Sequence, residues 1–544
     1  MLSAPTRLAS FALLALFCAA CGDDKTEETA AGSTSSAAET GDTGEPTTSA
    51  TDTTGEPVPF VPILARGGLE IEWMEANQGV GVAIGRDGKG LGGADRTSYL
   101  IQNRFTLIRA FWKDLPADWT PRKIEGRLTV KYPDGTALTQ SKTAMVDQNS
   151  FIGNLDRSFY WPLQPEQVLP NMTFNVELYE TGPGQEELAE GVNPPRLPYK
   201  GNAFVGIEKS DQVMKVTLVP FNYDSGDGCK TKPDTSEEVM QIFQDQMYMM
   251  NPLDKLEFKL HAPIDWNTKL SDFNELNEYM SGLRFDEGAE DERYYYGLVD
   301  VCSGGLGGAG GKAFGIPQGG KASDAYARVS SGLWIDIDFS SETFVHEVGH
   351  SQGRYHVYCS GEEGGPDNSY PTYPDEGQTH GEIHDWGFGV INYKLYHPTV
   401  HKDYMTYCHP VWASSWGWNK VYPVIQALSK LDDAGAPKPD DMGSILVGSV
   451  YPDGHETWIS VPGAVNPEDI SAVHSVEFMI DGELVQQPAA HLTQPEGDVV
   501  LVVTALPDRW EQVTQMTRVA GPKRVTVPVQ KIRQHHQRKL KAAD

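Results

Sequence analysis

Residues 346–356 read His346-Glu347-Val348-Gly349-His350-Ser351-Gln352-Gly353-Arg354-Tyr355-His356. On a helix, His346 and His350 lie one turn apart and project from the same face. Two imidazoles at that spacing reach one metal ion. Glu347 stands beside the first of them and can touch a water at the metal without taking a coordination position. Gly353 can adopt the left-handed conformation that ends a helix. The chain then turns back and brings His356 to a third position. Three protein ligands with one place left open is the arrangement of catalytic zinc. With this composition, the five fixed residues coincide by chance about once in 10⁴ chains. We therefore expect one Zn2+ held by His346, His350 and His356, with Glu347 as general base.

Outward from the motif, residues 202–433 alternate strand-like and helix-like segments. Val213–Pro220, Leu256–Leu260 and Tyr294–Val301 read as strands, and Ser236–Met250 and Leu270–Leu283 as helices. Val329–Phe339 reads as a further strand running into the metal helix. The order implies an α/β domain with a mixed sheet. A glycine-rich stretch, Ser303 to Gly320, lacks GxxxxGK[ST] and so is not a phosphate loop. Its glycines are expected to let backbone pass close to the cleft.

On either side the pattern is β. Leu69–Met74, Leu107–Trp112, Leu128–Tyr132 and Met172–Tyr179 alternate with period two or form short β-rich runs, giving an N-terminal β-sandwich-like domain over 58–201. After a Pro-rich break at Ala434–Asp440, the strands Ile445–Tyr451, Val476–Ile480 and Val499–Ala505 mark a second such domain over 441–530. A basic tail, 531–544, carries His535-His536, which we expect to be solvated.

The N-terminus is a targeting segment. Arg7 precedes an apolar run, Leu8 to Ala20, too short to span a bilayer as a helix, so residues 1–20 read as a signal peptide. Cys18-Ala19-Ala20-Cys21 resembles a bacterial lipobox with Cys21 as the lipidated residue, although Cys18 stands where leucine is usual. Residues 21–57, rich in Thr, Ser, Gly, Ala and Glu, form a disordered tether. The expected location is the bacterial cell envelope, at the outer membrane or cell surface, or otherwise secreted. Membrane contact is expected only through that lipid anchor. The net charge of −31 repels phosphate backbones and argues against a nucleic-acid partner.

Further along, Asp403-Tyr404-Met405-Thr406-Tyr407-Cys408 follows His356 by about fifty residues. With HExxHxxGxxH, this resembles the metzincin zinc metalloproteases, whose methionine turn lies beneath the zinc. Met405 is the residue that matches that methionine. The resemblance is closest to secreted bacterial metalloproteases of the StcE/TagA type and their lipoprotein relatives. It covers roughly Val213 to Leu428, and includes Leu218-Val219-Pro220-Phe221, Tyr294-Tyr295-Tyr296-Gly297-Leu298-Val299 and Trp412. The chain departs from the pattern at Val357 and at Trp416-Gly417-Trp418.

The resemblance implies a multidomain chain: a metzincin-like α/β catalytic domain, with a mixed twisted sheet and a zinc helix, between two β domains. It implies a zinc endopeptidase that hydrolyses peptide bonds of extracellular or surface proteins, glycoproteins among them. Tyr407 matches a tyrosine that approaches the zinc in some metzincins, and so would stabilise the oxyanion. His380, His384, His397, His401 and His409 crowd the same region, but the motif already supplies three ligands. Cys359 lies three residues past the third ligand and Cys408 three past the turn methionine, both in segments that must pack under one site. We expect Cys359 to pair with Cys408, and by elimination Cys229 with Cys302, in an oxidising compartment. The rival is a cysteine switch through a free Cys229. The competing functions are a surface adhesin with a vestigial zinc site, which would not need Glu347, and a zinc hydrolase acting on something other than a peptide.

Overall fold

In the computed structural model, which describes residues 60–302, 305–359, 365–371, 380–431, 443–494 and 499–535, strand Val213–Asp224 is the spine of the central sheet. It is twelve residues long and pairs in parallel with Lys255–Leu260 and Ile264–Trp266 on one side and with Tyr294–Val299 on the other. Tyr294–Val299 pairs in parallel with Val329–Leu333. Gly311–Ala313 closes that end of the sheet antiparallel. The signal peptide, Cys21, the tether, the Pro-rich break at 434–440 and His536 lie outside the described residues.

The strands are nearly continuous in apolar character because both faces of this sheet are covered. Val216, Leu218, Tyr294, Tyr296 and Leu298 face a core shared with three helices: α1 (Glu237–Met250), α3 (Ile337–Ser351) and α4 (Ser415–Leu428). Val219, Phe221, Tyr295 and Val299 face the other way, onto α2 (Asn274–Asp286) and strands of the C-terminal sheet. The strand expected to run to Phe339 stops at Leu333. Asp336 accepts a hydrogen bond from the Phe339 amide at 2.9 Å and starts α3 there.

N-terminal to this, two five-stranded sheets share one core. Strand Arg122–Lys131 shows why: Ile124, Leu128 and Val130 are buried at every second or fourth position, and polar residues alternate with them. C-terminal to it, eight strands form one continuous sheet that begins at Lys523–Val527 and ends at Arg533–Gln534. One face joins the α2 side of the central core. The other encloses its own cluster around Trp458, Phe478, Trp510 and Met516. Arg533–Gln534 pairs in parallel with Ile459–Ser460, and His535 donates its amide to Ser460 and pairs its ring with Asp286 at 2.9 Å. The expected tail therefore begins as a sheet strand, and His535 has a carboxylate partner. Among the described residues no helix is long and apolar enough to cross a membrane.

Candidate metal centre

Helix α3 presents His346 and His350 on its inner face, and ends where the motif glycine stands. Gly353 has φ +88°, in the left-handed region. A Cβ there would also lie 2.8 Å from the Pro317 carbonyl oxygen, so glycine is required on two counts. The turn returns the chain so that His356 faces the helix. The ligand-capable atoms of His346, His350 and His356 all lie within 4.8 Å of one another, and all three residues are buried.

The imidazoles are oriented from behind. His346 donates Nδ1–H to the Tyr404 carbonyl at 2.8 Å, and His350 donates Nδ1–H to the Arg354 carbonyl at 2.7 Å. Those bonds fix the tautomer in which Nε2 carries the lone pair. The Nε2 atoms of His350 and His356 are 3.1 Å apart. Two nitrogens about 2.0–2.1 Å from one tetrahedral zinc are separated by about 3.3 Å. Burial, reinforced by the His356 and His346 rings, holds His350 well below the usual histidine range. It is thus neutral, as a ligand must be. Donor type, the tautomers of His346 and His350, and the His350–His356 spacing are those a metal ion needs.

Met405 lies directly under the helix. A Cβ on Gly349 would fall 2.5 Å from the Met405 sulfur. Val357 donates its amide to the Met405 carbonyl at 2.9 Å, so the residue after the third ligand is tied to the turn. Cys359 is bridged to Cys408, and Cys229 to Cys302, with Cα separations of 6.2 and 6.0 Å. These are the pairs expected from the sequence, and the Cys229 bridge leaves no free thiol there for a cysteine switch. The two bridges mark the chain as an exported protein.

A cleft of about 230 Å³ opens over the site, lined by His346, Glu347, Tyr407 and Gly311, with Glu342 and His409 also on its wall. Tyr407 is 43% exposed, its ring centroid 4.8 Å from that of His356 and 5.9 Å from that of His346. His409 pairs with Glu342 at 3.0 Å, and that hydrogen bond raises its pKa. His384 packs beside Tyr370, and His401 caps the turn at His397. Neither these two nor His380 or His409 belongs to the three-histidine group.

Other contributors lie outside the histidine motif. Gly311, in the glycine-rich stretch, lies beneath Glu347. Its cross-strand partner Gly332 makes room for the Tyr296 hydroxyl, which burial and the nearby Glu347 keep protonated. The N-terminal domain, to which the sequence assigns no chemistry, supports the turn region. The Gly79 carbonyl accepts hydrogen bonds from Trp412 Nε1 at 2.8 Å and from the Phe388 amide at 3.2 Å.

No protein-family model and no curated protein matches the chain. Among solved structures, a calcium-binding mutant of Bacteroides uniformis beta-glucuronidase 2 aligns at 11% identity, over 43% of this chain and 28% of that one, with a TM-score of 0.12. That likeness is too slight to bear on fold or function.

Proposed function

We propose that this chain is a zinc-dependent endopeptidase of the metzincin type, anchored at a bacterial cell envelope by a lipid on Cys21, that cleaves extracellular or surface proteins, glycoproteins among them. The observation that carries this reading is the grouping of three buried imidazoles, two of them oriented by backbone carbonyls, at a cleft that also holds Glu347. Zinc held there supplies Lewis acidity, which acidifies a water and polarises a peptide carbonyl.

The chain's own residues do the rest. Glu347 takes the proton from the attacking water and returns it to the departing amine, one carboxylate acting as base and then as acid. Its place next to His346 in sequence and over Gly311 in space supports that role. Tyr407, half-exposed against His356, donates its hydroxyl to the oxyanion that develops on the carbonyl. Tyr404 and Arg354 keep the imidazoles in register through their carbonyls.

The test is a mixed peptide library incubated with the full-length chain, with cleavage products read by mass spectrometry. Internal cleavage that stops on chelation and returns with zinc is expected. Tyr407→Phe should lower kcat by about 10²-fold with zinc content unchanged. A zinc-loaded chain that cleaves nothing would refute the reading and favour a binding protein.

A further inference from the structure

Arg354 is fixed from an unexpected direction. Its guanidinium is buried and donates Nη2–H to Asp403 Oδ1 at 2.9 Å, with 2% and 0% side-chain exposure at the two partners. The rings of Tyr404 and Trp416 each lie 5.2 Å from its central carbon. Asp403 is shared further: Oδ1 accepts the Met405 amide at 2.9 Å, and Oδ2 accepts the Ser414 hydroxyl. Arg354 thus serves the site at both ends. Its carbonyl holds His350 Nδ1–H, while its side chain is clamped by the carboxylate that also shapes the methionine turn.

We infer that Asp403 and Arg354 are positioning residues that set the affinity of the three-histidine site, by locking the Arg354 carbonyl against His350. The inference rests on the zinc reading above and deepens it. The disulfide Cys359–Cys408 joins the same two segments, but beyond His356 rather than between the ligands. Within the loop between His350 and His356, Gln352 donates to Asn251 at 3.1 Å and Gly353 accepts from Gln318 at 3.1 Å, while the ion pair ties Arg354, whose carbonyl holds His350, to the Met405 segment. Outer partners that orient a ligating imidazole typically alter metal affinity by about 10–100-fold when lost. A pair this buried leaves an uncompensated charge when one partner is neutralised, so the loop must shift.

Zinc affinity of the full-length chain, measured by competition with a chromophoric chelator, tests this. Asp403→Asn should bind zinc about 10–100-fold more weakly than the native chain. Ser414→Ala, which keeps the ion pair but removes one bond to Asp403 together with the bond that Ser414 accepts from the Gly417 amide, should lose a few-fold. If Asp403→Asn does not fold, Ser414→Ala decides. Nitrogen-15 NMR of the His350 ring in the metal-free chain is the second readout. The native ring should hold the Nδ1–H tautomer, and Ser414→Ala should show admixture of the other. Native affinity in the variants, or an unchanged tautomer, overturns the inference. Neither readout needs peptide cleavage, so a chain that binds zinc but cuts nothing would refute the protease reading and leave this one standing.

Discussion

Gly311 and Glu347 occupy one space: a Cβ built on Gly311 would lie 2.7 Å from both Cγ and Oε1 of Glu347. The edge strand carries a glycine there because helix α3 packs the proposed base directly onto it. The same Cβ would meet Thr343 Cγ2 at 2.7 Å, so the helix has no room to retreat evenly. Gly311→Ala should displace the Glu347 carboxylate while leaving the three histidines where they are. Misplacement of a reacting group by about 1 Å costs on the order of 10² in rate. A kcat lower by that factor, with zinc content at the native level, is the expected result. Native kcat would mean that Glu347 tolerates the shift.

Beneath the helix, Gly349 and Met405 are matched in the same way. Gly349→Ala drives a methyl into the buried sulfur, and overpacking of this kind costs about 1–3 kcal/mol. Denaturant unfolding should show that loss. The double variant Gly349→Ala with Met405→Ala should lose less than the sum of the two single variants, because the second change opens the space the first one needs. Additive losses would show that the two residues do not share a contact that matters.

The Glu342–His409 pair on the cleft wall gives a pH dependence with a definite sign. The hydrogen bond to Glu342 raises the His409 pKa above its ordinary 6.5. A group with a raised folded pKa lends stability that is full below the unfolded value and is lost as pH rises through the folded one. The native chain should therefore lose this contribution to Tm on passing from mildly acidic to mildly alkaline pH, and Glu342→Gln should flatten that part of the profile. His409 is more than half exposed, so the effect is small and screened by salt. A steeper profile in Glu342→Gln would reverse the assignment.

Replacing Cys359 and Cys408 together by serine removes the link between the exit of the metal turn and the methionine turn. A bridge closing a loop of this length, 49 residues apart in sequence, contributes about 2–4 kcal/mol. Differential scanning calorimetry should register the loss, with the Cys229–Cys302 bridge intact by non-reducing peptide mapping. A change within error would mean that the Asp403 network already holds the two segments without it.

What could be read from the sequence was local. The spacing of His346, His350 and His356 specifies its own helix and turn, and α1, expected at Ser236–Met250, lies at Glu237–Met250. Helix α4 has no periodic or capping pattern that outweighs its composition. Trp416-Gly417-Trp418 and an internal Pro423 argue against a helix by propensity. Burial of Trp418, Val421, Tyr422 and Ile425, with Ser414 accepting a hydrogen bond from the Gly417 amide, overrides that. The C-terminal strands were expected to form a sandwich, but hydrogen bonding joins them into one sheet, closed by the distant Arg533–Gln534. The Arg354–Asp403 pair spans 49 residues and the Trp412–Gly79 bond 333, so neither leaves a periodicity to detect. Gly311 looked like loop glycine because the group that forbids a side chain there arrives from another element.

Zinc binding by His346, His350 and His356 and proton transfer by Glu347 are separated by one variant. Zinc content by mass spectrometry of metals, measured beside peptide turnover, should show in Glu347→Ala about one zinc per chain, as in the native protein, with kcat lowered by about 10²–10⁴-fold. Zinc retained together with native turnover would remove Glu347 from the proton transfer, and zinc lost together with turnover would make it a support of the metal site instead of its base.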